Sequence, residues 1–137
     1  MARAPLADRL DHILEAIARI EAQTAGKSRE GYLADWVTSD VVERNLERIS
    51  EASRHIPEDL KARHPSIGWR LVADLGNVLR HAYDQVEDER IWQIVSQELA
   101  PLKAAVEAML RGRKERTRPR LIHPRVRFVG ANGNLTN

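Results

Sequence analysis

Leu10, Ile13, Leu14, Ile17 and Ile20 recur at spacings of three and four residues, and no other feature constrains this chain more. That period lays one apolar stripe along an amphipathic helix, and a single stripe is stable only when other helices cover it. Pro5 suits the first turn, where its missing N–H costs nothing, and Gly26 stops the helix. Tyr32, Leu33, Trp36 and Val37 share a face of a weaker segment. Asp40 with Glu43 reads as a capping pair opening a third helix, with Val42, Leu46, Ile49 and Ile56 inward and Pro57 at its end. The stretch PEDLKARHP reads as one short helical turn between two prolines. Ser66 can cap a fourth helix whose apolar face is Leu71, Val72, Leu75, Val78, Leu79 and Ala82.

A fifth helix is expected from near Asp88, lined by Ile91, Trp92, Val95, Leu99, Leu102, Val106 and Met109 and bent by Pro101. No segment alternates as a strand does. The expectation is an all-α protein, an antiparallel bundle of four to five helices over residues 1–111. From 112 to 137 the period stops, and a basic, flexible tail is expected.

Charge sharpens that division. Residues 111–127 hold eight Arg or Lys and one Glu, so a formal net charge of only +2 conceals an acidic body with a basic end. The absence of cysteine excludes disulfides, thiolate metal sites and a cysteine nucleophile, and it fits a reducing compartment. No apolar run reaches the roughly 20 residues of a membrane span. Asp8, Arg9 and Asp11 stand where a signal peptide would be apolar, so a cytoplasmic location without a membrane partner is expected.

The fourth helix carries the only concentrated chemistry. Arg70, Asp74, Asn77, His81 and Asp84 form a polar stripe opposite its apolar face. The five histidines are scattered without metal-ligand spacing, so no metal or other cofactor is expected, and no partner of note is expected for His12, His55, His64 or His123. There is no phosphate loop and no nucleophile elbow. From the residues alone two readings stay open. One is a solvated face, with Arg70 and Asp74 as a surface ion pair. The other is a metal-free ribonuclease site, because RNA carries its own nucleophile in the 2′-hydroxyl. Such a site needs a proton carrier titrating near neutral pH, which a histidine such as His81 supplies. It also needs a cation for the phosphate, which Arg80 can supply, and Asn77 could orient His81 from one turn below.

The stretch IGWRLVADLGNVLRHAYDQVEDERIW, residues 67–92, resembles the signature of the HepT-like toxins of the HEPN superfamily. Their motif is R-x-x-x-x-H-x-Y with W-R before it and a tryptophan after it. Trp69, Arg70, Asn77, Leu79, His81, Tyr83, Val86 and Trp92 fall in register, and DVVERNLERISEASRHIP (40–57) is similar to the preceding helix. The resemblance spans roughly residues 8–110. It implies a HEPN-like bundle and a homodimer whose motif helices face each other across one cleft. It also implies metal-independent cleavage of RNA, within a toxin–antitoxin pair. The implied partner is a nucleotidyltransferase antitoxin that attaches AMP to the motif tyrosine, here Tyr83. In this reading His81, Arg80 and Asn77 are catalytic, and Arg70 and Asp74 support them.

One position departs from the motif. The arginine five residues before the histidine is replaced by Gly76. Arg80 is the nearest substitute, about 100° round an ideal helix from His81, and Arg70 lies about 16 Å along the axis. The departure keeps a second reading alive: a non-catalytic HEPN dimer that only binds the nucleotidyltransferase or RNA. Gly76 itself is expected to mark close packing. Trp36, Trp69 and Trp92 are expected in the core or an interface. The basic tail is read as an RNA contact, a solubilising extension or a docking segment for an acidic partner.

Overall fold

The stripe of Leu10, Ile13, Ile17 and Ile20 is fully buried on α1, Pro5–Thr24, and Gly26 ends the turn behind it with a positive φ of 76°. In the computed structural model the described residues are 5–80 and 85–117, with side chains described for 5–80 and 88–113. Among them the chain is wholly helical. After α1 come α2 (Arg29–Leu33), α3 (Trp36–Ser53), α4 (Glu58–Ala62), α5 (Trp69–Arg80), α6 (Gln85–Gln97) and α7 (Leu99–Thr117). Five of these are long and two are single short turns, in keeping with the expected helical bundle.

The core is one aliphatic cluster. Val42, Leu46 and Ile49 of α3 meet the α1 stripe, Leu75 and Leu79 come from α5, and Ile91, Leu102, Val106 and Met109 close it from α6 and α7. Polar ties fix the periphery. Trp69 Nε1 donates to the carbonyls of Lys61 and His64, each at 3.1 Å, pinning the start of α5 to the end of α4. The Tyr32 and Trp92 rings pack with centroids 5.3 Å apart, which joins α2 to α6, and Arg29 pairs with Glu89 across the same contact. Tyr32 is buried, and burial pushes its phenol up to about 12.

Several local expectations are corrected. The third helix opens at Asp35, not Asp40: the Asp35 carboxylate accepts from the backbone N–H of Val37 and Thr38, both at 3.2 Å, and from the Thr38 hydroxyl at 2.8 Å. Those bonds and Lys27, 3.3 Å away, hold the Asp35 carboxyl below its ordinary value. Asp40 and Glu43 therefore lie inside α3 rather than at its start. Trp36, on the first turn of that helix, is 74% exposed, so of the two places expected for it, core or interface, the core is excluded. Ser66 does not cap α5; the helix starts at Trp69, and the Val72 N–H bonds the Gly68 carbonyl at 3.0 Å.

Pro101 interrupts rather than bends. It has no N–H for the Gln97 carbonyl and its ring clashes there, so α6 stops at Gln97 and α7 begins with Pro101 in its first turn. Finally, α7 runs on past Arg111 to Thr117, so the expected start of the tail at 112 lies inside a helix.

Candidate active site

The roll of α5 about its own axis sets the site. At about 100° per residue, Leu75, Leu79, Val72 and Gly76 occupy one arc of roughly 100°, and this arc faces the core. Leu75, Gly76 and Leu79 are buried, whereas Leu71 is 57% and Val78 38% exposed. The helix is thus turned toward Gly76 and away from the centre of its apolar face. The cause is a hydrogen-bonded seam with α3, and not the close packing expected of the glycine, since a Cβ there would meet only ordinary contacts. Ser50 Oγ donates to the Ala73 carbonyl at 2.8 Å and accepts from the Gly76 N–H at 3.2 Å. Arg54 reinforces the seam, with Nε and Nη2 both donating to the Ala73 carbonyl at 3.1 and 2.8 Å.

Arg80 completes the arrangement. Its Nη1 lies 3.5 Å from where a Cβ on residue 76 would stand, and Ser50 Oγ lies 3.6 Å from the same point. The space in which an arginine at position 76 would begin is therefore bordered by a guanidinium reaching back one turn from Arg80. Asn77 Oδ1 accepts from Arg80 Nη2 at 3.4 Å, a weak tether on the exposed side. Arg70, Asp74 and Asn77 are exposed, as the stripe required, and so is Arg80, which lies outside that stripe.

Their surroundings separate them. Gly76 and Arg80 border a polar cleft of about 480 Å³ between α1, α3 and α5. Asp74 borders a second groove of about 740 Å³ on the other flank of α5, lined by Leu71, Val78, Ile94 and Leu102 among others, with Arg90 on its rim. No ion pair joins Arg70 to Asp74 among the described residues. His81, Tyr83 and Asp84 lie outside the described residues, so the site is described up to Arg80, the residue directly before the histidine.

Reading the stripe of α5 alone misses what α3 brings. Ser50 and Arg54 hold the seam, and Arg48 and Arg9 share the cleft with Arg80. The arginines are visible in the sequence as the polar side of two amphipathic helices. Their convergence on Gly76 is a matter of tertiary packing. No group of three or more His, Asp or Glu among the described residues could hold a metal ion. Among the same residues, no helix is long and apolar enough to cross a membrane.

Comparison with known proteins gives this geometry its context. The family described as "Ribonuclease HepT-like" matches residues 13–109, from the α1 stripe to Met109 of α7. The chain belongs to the HepT-like ribonuclease family. It is 40% identical over 102 residues to a probable ribonuclease HepT of Thermococcus cleftensis, covering 74% of this chain and 93% of that one. It is 29% identical over 105 residues to a provisionally named RNase of Caldanaerobacter subterraneus subsp. tengcongensis, covering 77% and 94% respectively. No solved structure matched the chain. The HepT-like match spans both helices that build the seam, α3 and α5, and it includes Gly76.

Proposed function

We propose that this HepT-like chain is a metal-independent endoribonuclease and the toxin of a toxin–antitoxin pair. The observation that carries the reading is the Arg80 guanidinium beside the bare backbone of Gly76, one residue before His81, in a chain of the HepT-like ribonuclease family. An arginine there can fork onto the non-bridging oxygens of a phosphodiester. His81 takes the proton of the RNA 2′-hydroxyl as its oxygen bonds to phosphorus. The bond to the 5′-oxygen breaks, that oxygen takes up a proton, and a 2′,3′-cyclic phosphate remains on the other fragment. Asn77 tethers Arg80, and Arg70 and Asp74 supply charge farther along the same exposed helix face.

The active form in this reading is a homodimer assembled through α5. Leu71 and Val78, exposed beside an apolar groove of about 740 Å³, support a surface that a second copy covers. The partner is a nucleotidyltransferase that adds AMP to Tyr83, placing a phosphodiester anion and a bulky nucleoside next to Arg80. The non-catalytic reading rests on Gly76, since the motif arginine is absent from the sequence.

Expression of the chain without its partner tests these alternatives. Growth arrest that is lost in His81→Ala supports the nuclease, and equal growth of both chains supports the binding dimer. Intact mass after co-expression with the nucleotidyltransferase tests the regulation. An AMP adduct that disappears in Tyr83→Phe is expected. An unmodified chain that is nonetheless neutralised would leave an antitoxin acting by binding alone.

A further inference from the structure

The polar cleft extends away from Gly76 rather than closing over it. From the α3–α5 seam it crosses the exposed side of α3 to α1, where Arg9 stands on its far wall. Arg48 and Arg54 lie on the α3 floor and Arg80 at the inner end. Between Arg44 and Arg54 the floor runs about 15 Å along the helix axis, the span of several backbone phosphates.

Charge in this cleft is distributed unevenly. Three glutamates line it, and each has a basic partner, which for Glu47 and Glu15 is an arginine and for Glu51 a histidine that is charged only when protonated. Glu47 meets Arg44 at 3.4 Å, Glu15 meets Arg19 at 3.4 Å, and Glu51 meets His55, a histidine for which no partner was expected, at 3.3 Å. Arg9, Arg48, Arg54 and Arg80, by contrast, form no ion pair among the described residues. Arg54 is also held in place, because two of its nitrogens are committed to the Ala73 carbonyl while Nη1 has no partner among the described residues. Among the described residues that line it, His12 is the one aromatic ring and Ala52 the one apolar side chain. Along α1 and α3 such a surface offers little, among the described residues, on which bases could stack. It offers forked donors for phosphate oxygens, the contacts that position a nucleic acid without reading its sequence.

We propose that this cleft is the entry track for the phosphate backbone of single-stranded RNA, with Arg9, Arg48 and Arg54 gripping successive phosphates and delivering the strand to Arg80. The proposal rests on the ribonuclease reading for the identity of the polyanion. It accounts for Gly76 as well: a bare position at the inner end leaves the track open where it meets Arg80.

The test is anisotropy of a labelled single-stranded 2′-O-methyl oligoribonucleotide, which lacks the nucleophile and stays intact, titrated with the full chain over a range of salt. Arg9→Gln and Arg48→Gln each remove one unpaired charge and no structural bond. Each is expected to weaken binding about five-fold at 0.1 M salt and to lower the log–log salt slope by about 0.7, with oligonucleotide sequence immaterial and melting temperature unchanged. The double variant should show about twice that change in slope. Affinity and slope equal to wild type in both single variants would overturn the track. So would a labelled poly-glutamate bound as tightly as the oligonucleotide and lost equally in the variants, which would assign the cleft to an acidic protein. Cleavage of unmodified RNA separates the two readings. A wild type that binds through the cleft but cuts nothing contradicts the nuclease alone, and a wild type that cuts while the variants bind normally contradicts the track alone.

Discussion

Replacing Gly76 by alanine should stabilise the protein. A glycine inside a helix costs about 1 kcal/mol relative to alanine. The penalty that could cancel this gain is a clash, and the geometry shows none. The new methyl would meet Arg80 Nη1 at 3.5 Å and Ser50 Oγ at 3.6 Å, both ordinary contact distances. The N–H that Ser50 accepts is unchanged by the substitution. The expected result is about 1 kcal/mol of added stability, seen as a higher urea midpoint at constant m and a melting temperature raised by about 4 °C. Gly76→Leu should behave differently, because its branch would reach past Cβ into the space that Arg80 and Ser50 border. It should displace the Arg80 guanidinium and lower RNA cleavage at least as much as Arg80→Ala does. Circular dichroism at 222 nm with urea gives the stability, and cleavage of a labelled RNA gives the activity. A Gly76→Ala chain less stable than wild type would mean that the space beside Arg80 is not open, and the argument for a re-entrant arginine would fail with it.

Three further outcomes follow from particular side chains. Ser50→Ala removes a buried hydroxyl that both donates and accepts across the α3–α5 seam and should cost about 1–2 kcal/mol by urea unfolding. Asp35→Ala should lower the urea midpoint at neutral pH by removing the cap of α3; because the folded carboxyl titrates below its ordinary value, the difference from wild type should persist above that value and close as pH falls through the folded one. Glu43 titrates above its ordinary value, chiefly through burial, with Asp88, Asp40 and Glu47 adding to the shift against the Ser39 hydroxyl. Its charged form is therefore disfavoured in the fold, so Glu43→Gln should raise the midpoint at pH 7, and that advantage should fade as pH falls toward the ordinary glutamate range.

The helical class was legible because the burial signal is redundant. Every third or fourth residue from Leu10 to Ile20 is apolar, and any helix built on that stripe must be covered. Boundaries were less legible where two local signals compete. Asp40 and Glu43 have the spacing of a capping pair, but Asp35 offers its carboxylate to two N–H groups and a hydroxyl one turn earlier, and the earlier cap starts the helix. Trp36 looks like a core residue by type, yet at the first position of α3 it is exposed. The face of α5 was legible only to within its roll. Composition centres that face on Leu71, Leu75 and Val78, whereas the bonds from Ser50 and Arg54 of α3 to the Ala73 carbonyl and the Gly76 N–H turn the helix by tens of degrees. The polar stripe was correct for its described members Arg70, Asp74 and Asn77, which are exposed, but the placing of α5 between two grooves depends on α3 and α6, which no local pattern in α5 encodes. The resemblance to HepT-like proteins came from a short motif with its flanks, and the family match over residues 13–109 bears it out.

Cleavage of a labelled single-stranded RNA by the purified chain, in the presence of EDTA, tests the central claim most directly. Wild type should cut the RNA, leave its 2′-O-methyl counterpart intact and yield 2′,3′-cyclic phosphate ends, while His81→Ala should cut neither and Arg80→Ala should cut far more slowly. Cleavage that EDTA abolishes, that proceeds on the 2′-O-methyl strand, or that survives in His81→Ala would contradict the account.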